Sequence, residues 1–458
     1  MSQVLTLRSR STTRKPTVYL SATQDPALRE HEVLQALSRL RPPQVFVRGG
    51  RLVRVVATTH GAQLDELDEA ALSGILQRSV TFVRVDRHRV TYAYPPRELV
   101  RMILRRGSWP LPDLVGIVRC PVVRPDGIIV LREGYDPATC LYYAAGDLDV
   151  PCPPDDPTPH DVDRARQLLL EELLGDFPFA DDASRANALA LLLSPLLRFA
   201  VAGSTPLFLV SKPTPGTGAT LLARAAALIA TGHDAVTNPP ESEEEARKLI
   251  TSVLLEGRQV VVLDDVGSLK LRALSHLVTT KRWSARLLGT NRVCELLQSA
   301  TWIATGNNVQ LGADLARRVV WIRLDAKHYR PWERSGFRHP DLLRWVREHR
   351  GELIWALLVL CRAWWAAGCP EAEVPTMGGF EAWARLVGSI LHHAGIEGFL
   401  ANRQQLYDLD QEHAGWFEFF VVLQERAPAR GWRRPCARSC WSSKTCARYF
   451  GIIRTKWP

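Results

Sequence analysis

The chain has 458 residues, 46% hydrophobic and 23% charged, a balance that excludes a disordered or fibrous protein and leaves room for two or three domains. The formal net charge of +10 belongs to one end: residues 426–458 hold nine basic residues and no acid, so the rest is near neutral and gives no general sign of nucleic-acid binding. Nine cysteines without a C-x-x-C pair, no signal-peptide pattern and no uninterrupted apolar run of about 20 residues point to a soluble cytoplasmic protein with reduced thiols and no membrane span.

Residues 1–25, rich in Ser, Thr and Arg, read as a flexible leader. Residues 26–150 read as a small α+β accessory domain. Helical spacing covers 30–40, a hairpin covers 44–57 with its turn at Gly49-Gly50, and a second hairpin turns at Pro125-Asp126-Gly127. A proline-rich linker at 151–160 marks a boundary, because proline resists both helix and central strand.

From 161 to 330 the pattern alternates. Helices at 161–174 and 183–202 lead into a strand at 207–210, followed by helices at 220–230 and 241–255, a strand at 260–263, a helix at 269–279, and strands at 301–305 and 319–324. Such alternation predicts an α/β fold, a mostly parallel sheet in three layers. Residues 331–427 read as a helical C-terminal domain. The tail, 428–458, is basic and rich in Cys and Trp, with no acids and no period. It reads as an out-of-frame or otherwise abnormal end in preference to a basic DNA-binding tail. A zinc site fits poorly, because Cys436, Cys440 and Cys446 lack paired spacing.

The chemistry sits in the alternating region. After the strand at 207–210, Pro213-Thr214-Pro215-Gly216-Thr217-Gly218-Ala219-Thr220 follows the spacing of a phosphate-binding loop, G-x-x-x-x-G-K-[ST]. Glycines let the backbone curl its N–H groups inward, and the helix behind adds its positive end. Thr220 is placed to ligate Mg²⁺. Two positions depart from the pattern: Pro213 replaces the first glycine and Ala219 replaces the lysine that reaches the β- and γ-phosphates. Lys212, or a basic group from a neighbouring subunit, is the candidate substitute.

Next, Val260-Val261-Val262-Leu263-Asp264-Asp265 is a buried strand ending in two carboxylates, the form of a Walker B element. Asp264 is assigned to Mg²⁺ and Asp265 to the attacking water. Trp302-Ile303-Ala304-Thr305-Gly306-Asn307-Asn308 delivers an amide at a strand end, where Asn307 can polarise that water and sense the γ-phosphate. Arg317 and Arg318, before the last strand, are candidates for an arginine finger acting on a neighbour's nucleotide. Singly these are weak signals, since Gly/Pro turns, Asp and Asn pairs and surface arginines are common.

In order and spacing the motifs resemble the AAA+-like ATPases of the superfamily-3 helicase group, near the poxvirus-type primase-helicases of phages, plasmids and integrative elements. The resemblance rests on Pro215-Gly216-Thr217-Gly218, Asp264-Asp265, Trp283 through Gly289, Thr305-Gly306-Asn307-Asn308 and Asp314-Leu315-Ala316-Arg317-Arg318. It extends less specifically to Trp109-Pro110-Leu111-Pro112 and Gly134-Tyr135-Asp136. It implies a P-loop NTPase that uses ATP and Mg²⁺ and forms a homo-oligomeric ring. Its DNA would be single-stranded or a replication fork, and its role a helicase-like motor or loader in mobile-element replication. Ala219 keeps a second reading open, a non-hydrolysing nucleotide-binding or interaction protein that retains the fold. No primase-type metal cluster stands in the first 95 residues, to which the sequence assigns no task.

Overall fold

Short apolar runs broken by Gly, Pro and Asp give the N-terminal region several small sheets instead of one large one. The computed structural model describes residues 15–21, 25–59, 61–86, 89–286 and 293–407; most of the leader, residues 408–427 and the basic tail lie outside them. The chain begins with β1 (Thr17–Tyr19), α1 (Pro26–Ser38), β2 (Phe46–Arg48), β3 (Arg51–Thr58), β4 (Gly61–Glu66), α2 (Glu69–Ser79), β5 (Thr81–Asp86), β6 (Arg89–Ala93) and α3 (Arg97–Arg105). β1, β5 and β6 form one sheet, with β1 parallel to β5, and β2, β3 and β4 form an antiparallel meander. Gly49 and Gly50 both have positive φ, 54° and 73°, as a tight hairpin turn demands. Val18, Leu34, Leu72, Phe82 and Ile103 bury one side of these elements in a shared core.

Five short strands follow: β7 (Gly116–Val118), β8 (Val122–Val123), β9 (Ile129–Val130), β10 (Gly134–Asp136) and β11 (Leu141–Tyr143). β8 and β9 form the second expected hairpin. Past the prolines, α4 (Pro159–Gln167) starts from a capping box between Thr158 and Asp161 and continues as a π-helical turn, Leu168–Leu173. α5 (Asp182–Leu197) is buried along nearly its whole length.

The central sheet is built from β12 (Leu207–Lys212), α6 (Ala219–Thr231), β13 (Val236–Thr237), α7 (Glu243–Glu256), β14 (Val260–Leu263), β15 (Ser268–Leu269), α8 (Arg272–Thr279), β16 (Arg282–Arg286), β17 (Val293–Leu297), β18 (Thr301–Asn307), β19 (Gln310–Leu311), α9 (Ala313–Ala316) and β20 (Val319–Arg323). Five of these strands lie parallel in the order β13-β14-β18-β12-β20. Phe208, Val261, Val262, Ile303 and Val320 are fully buried, as strands covered on both faces require. The architecture is an α/β, P-loop NTPase-like core with N- and C-terminal regions. Because β18 lies between β12 and β14, the ends of those three strands meet at one edge.

Two details differ from the sequence reading. The helix expected from 269 starts at Arg272, because Ser268 and Leu269 pair with Gln310 and Leu311. Residues 282–297 supply an antiparallel hairpin, β16 and β17, whose Trp283 is buried and donates to Thr251 Oγ1 at 3.0 Å. The C-terminal region contributes α10 (Leu342–Glu348), α11 (Arg350–Ala366) and α12 (Glu381–His393). No helix among the described residues is long and apolar enough to cross a membrane.

Arginines tie the accessory elements to the core by donating to the last carbonyls of helices, which have no partner within the helix. Arg48 of β2 donates to the carbonyl oxygens of Leu254 (2.5 Å) and Leu255 (3.4 Å) at the end of α7, and to Leu114 (3.1 Å). Burial lowers its pKa to about 10, so it stays charged at neutral pH. Arg350 does the same for α6, donating to Ile229 (2.9 Å) and Ala230 (3.4 Å), and it also reaches Arg119 (2.7 Å). Arg48→Ala leaves the carbonyls of Leu254 and Leu114 without this donor. It is expected to lower the unfolding free energy by about 1.5–3 kcal/mol, read from the urea midpoint; an unchanged midpoint contradicts the coupling.

Candidate nucleotide-binding site

The loop between β12 and α6 is shaped by its own residue types. Gly216 and Gly218 adopt φ of 79° and 103°, in the left-handed region where a side chain is strained. Thr217 is buried and donates through Oγ1 to the carbonyl of Thr214 at 2.6 Å, which closes the curl. Gly218 caps α6, and Ala219 and Thr220 are its first two residues. The free N–H groups of the first turn therefore open into the loop, the arrangement that suits an anion.

The acidic strand end meets this turn. Thr220 Oγ1 donates to Asp264 Oδ1 at 2.8 Å, and Thr305 Oγ1 donates to the same oxygen at 2.5 Å. Among the described residues Asp264 Oδ2 makes no hydrogen bond, and a hydroxyl that donates a hydrogen bond keeps its lone pairs. One carboxylate and one hydroxyl are too few to hold a metal unaided. No cluster of three or more His, Cys, Asp or Glu occurs among the described residues. Mg²⁺ fits such a sparse set, because it is normally bound by one or two carboxylates together with substrate phosphates and water.

Asp265 lies exposed beyond the strand at φ 54°, with its N–H donating to Thr305 Oγ1 at 3.2 Å. Asn307 ends β18 in register with Lys212. Its side-chain amide lies against the carbonyls of Lys212 (2.5 Å) and Pro213 (2.8 Å); assigned with its nitrogen toward these two acceptors, it braces the start of the loop and leaves its oxygen as the free polar end. Gly306 explains the glycine of the Thr-Gly-Asn run: a Cβ there would lie 2.2 Å from the carbonyl oxygen of Val266. Only glycine lets the turn after Asp265 lie against β18.

Gly216, Gly218, Thr220, Asp264, Asp265, Asn307 and Lys212 thus gather at the carboxyl end of the sheet. Arg317 and Arg318 do not. β12 and β20 run parallel with Leu207 opposite Val319, so Arg318 and Arg317 sit six and seven residues below Lys212, about 20 Å or more along the strands. Both reach Asp314, at 2.8 and 2.9 Å. Arg318 is mostly buried and donates to the carbonyl of Ser275 at 2.6 Å, whereas the Arg317 side chain is 63% exposed. An action of Arg317 on a nucleotide would have to be on a neighbour's.

Ala219 is fully buried, so no cation replaces the missing lysine from that position. Three neighbours were given no role in the sequence reading. Thr305 joins the two acids, as its register one step beyond the Leu263–Ala304 pair requires. Trp332 lies over the loop: a Cβ on Gly216 would come 3.1 Å from Trp332 Cβ. Phe177 flanks Gly218 at 3.4 Å in the same sense. Thr305 was open to register arithmetic; the two aromatic contacts join distant parts of the chain and left no local signal.

Fold and strand-end arrangement together define a protein with a P-loop NTPase-like core. No family model and no curated protein matches the chain. Among solved structures, the apo C-terminal region of NrS-1 is 14% identical, covering 64% of this chain and 69% of its own, with a TM-score of 0.33. JCV helicase bound to a small molecule is 14% identical, covering 56% and 68%, with a TM-score of 0.23. SCCmec type IV Cch, described as an active helicase, is 12% identical, covering 86% and 81%, with a TM-score of 0.32. Likenesses this loose assign no residue a role.

Gly306→Ala tests the strand-end packing. The added methyl must push the Val266 carbonyl away, and with it Asp264 and Asp265. The expected result is about 1–3 kcal/mol of lost stability and weakened nucleotide binding, measured by denaturant unfolding and calorimetry. Wild-type values for both contradict the assignment.

Proposed function

We propose that the chain binds a magnesium–nucleoside triphosphate, ATP, in the cradle between the loop 213–220 and Asp264. The observation that carries this reading is the pair of hydrogen bonds from Thr220 and Thr305 to one oxygen of Asp264, set directly beside the free helix N-terminus. Here Gly216, Gly218 and the first turn of α6 take the phosphates, assisted by Pro215, Thr217, Ala219 and Lys212 as the rest of the loop. Thr220 and Asp264 hold Mg²⁺, whose chemistry is to neutralise charge on the phosphate oxygens. Asp265, exposed beside them, takes a proton from or orients the attacking water, and Asn307 fixes that water with its free amide oxygen.

The reading extends to a DNA-dependent ATPase with a helicase-like motor or loader role in mobile-element replication. It would work in the cytoplasm as a homo-oligomeric ring on single-stranded DNA or a fork. The order of the motifs supports this; the exposed Arg317, remote from this chain's own cradle, is the finger that the reading assigns to a neighbouring subunit's nucleotide. Ala219 favours the second reading, a nucleotide-binding protein without turnover. A missing electrostatic stabiliser costs about 2.7–4 kcal/mol of transition-state energy, a factor of about 10²–10³ in rate, so hydrolysis by the wild type is slow.

DNA-stimulated ATP turnover by the wild type, Ala219→Lys and Asp264→Ala separates the readings. A slow wild-type rate above the Asp264→Ala background, raised about a hundredfold by Ala219→Lys, is the expected result. Equal wild-type and Asp264→Ala rates, with a gain only in Ala219→Lys, leave the non-hydrolysing reading. Failure of all three proteins to bind ATP ends both.

A further inference from the structure

Trp332 is unusually open for its size. It sits in a short 3-10 helix, Pro331–Glu333, within the segment that runs from β20 to α10. Its side chain leaves the residue 59% exposed, whereas Trp283, Trp302 and Trp383 are almost wholly buried. Leaving so large an apolar ring in water forgoes the burial that drives folding. Among the described residues no guanidinium covers it; the arginines that lie over rings do so at Trp355, Trp321 and Phe337.

The fold holds the ring at the phosphate loop. Pro331 is buried, and Arg334 donates to the carbonyl of Asp176 at 3.0 Å. The N–H of Arg338 donates to Asp176 Oδ2 at 2.7 Å, and that of Asp325 to the carbonyl of Pro178 at 2.8 Å. Between Asp176 and Pro178 stands Phe177, whose ring flanks Gly218, so the two segments that touch the loop are fastened to each other. Trp332 meets Gly216 with only part of itself: a Cβ on that glycine would lie 3.1, 3.2 and 3.3 Å from Trp332 Cβ, Cε3 and N. The rest of the ring is left open beside the cradle. The arginines on either side of it are engaged, Arg330 with Glu333 at 3.1 Å and Arg334 with Asp176 and the ring of Phe337. What Trp332 offers is therefore a bare π-face, which suits a flat, uncharged partner.

Resting on the reading of the loop as a triphosphate cradle, we propose that Trp332 is the platform on which the nucleobase stacks. The base is the one flat, uncharged part of a nucleoside triphosphate, and its tether to the phosphates keeps it close to the loop that holds them. The Cβ and Cε3 side of Trp332 supports that loop at Gly216, and the open remainder of the ring receives the base. Stacking is tolerant, because every base has a π-face. Trp332 thus adds affinity without choosing between adenine and guanine, and the larger purine rings gain more from it than pyrimidines.

The test is calorimetric titration of ATP, CTP and inorganic tripolyphosphate, each with Mg²⁺, into the full wild-type chain, Trp332→Ala and Trp332→Phe. Alanine keeps the Cβ and backbone N that meet Gly216, so the loop stays supported and tripolyphosphate should bind the variant as it binds the wild type. ATP should bind Trp332→Ala about five- to a hundredfold more weakly than the wild type. The wild-type preference for ATP over CTP should shrink in the same variant, and Trp332→Phe, which keeps a ring, should recover most of the ATP affinity. Wild-type ATP affinity in Trp332→Ala, an equal loss for ATP and tripolyphosphate, or a phenylalanine variant as weak as the alanine one overturns the proposal and leaves the cradle standing. A wild-type chain that binds neither ATP nor tripolyphosphate overturns both.

Discussion

Asp264 Oδ1 accepts two hydrogen bonds, one from Thr220 at the start of α6 and one from Thr305 near the end of β18. Those bonds lock the phosphate loop, the acidic strand end and the strand between them into one unit. Everything else at the site is arranged around that lock. Gly306 lets Val266 come close enough for the turn to form, Asn307 fastens the first residues of the loop, and Thr305 also receives the Asp265 N–H. A parallel sheet is the natural support, because it presents strand ends and helix N-termini at the same edge.

Local signals were legible in the sequence. The glycines of the loop, the apolar run ending in Asp264 and the Gly49-Gly50 hairpin each need only neighbours in the chain to be understood. Contacts set by register or by distant packing were not. Thr305 looked like one polar residue in an apolar strand until β14 fixed it beside Asp264. The β16–β17 hairpin was hidden because Arg282-Trp283-Ser284-Ala285-Arg286 has only one buried large residue to mark it. Trp332 touches a glycine more than a hundred residues earlier, and no pattern encodes that.

Ala219 and the arginine pair bear on the same electrostatic question. Within one chain, the described residues at the cradle supply backbone N–H groups and a helix end but few side-chain cations, Lys212 being the candidate at the loop. Arg317 is exposed but lies at the far end of the sheet. On the proposed reading this arrangement favours binding over turnover in an isolated subunit, with any added positive charge coming from a neighbour.

Calorimetric titration of ATP into the wild type and into Asp264→Ala, each with and without Mg²⁺, examines the Thr220–Asp264–Thr305 lock most directly. The account predicts ATP binding that Mg²⁺ strengthens in the wild type, with the Mg²⁺ effect lost in Asp264→Ala. Wild-type binding that is the same with and without Mg²⁺, or an undiminished Mg²⁺ effect in the variant, would contradict it.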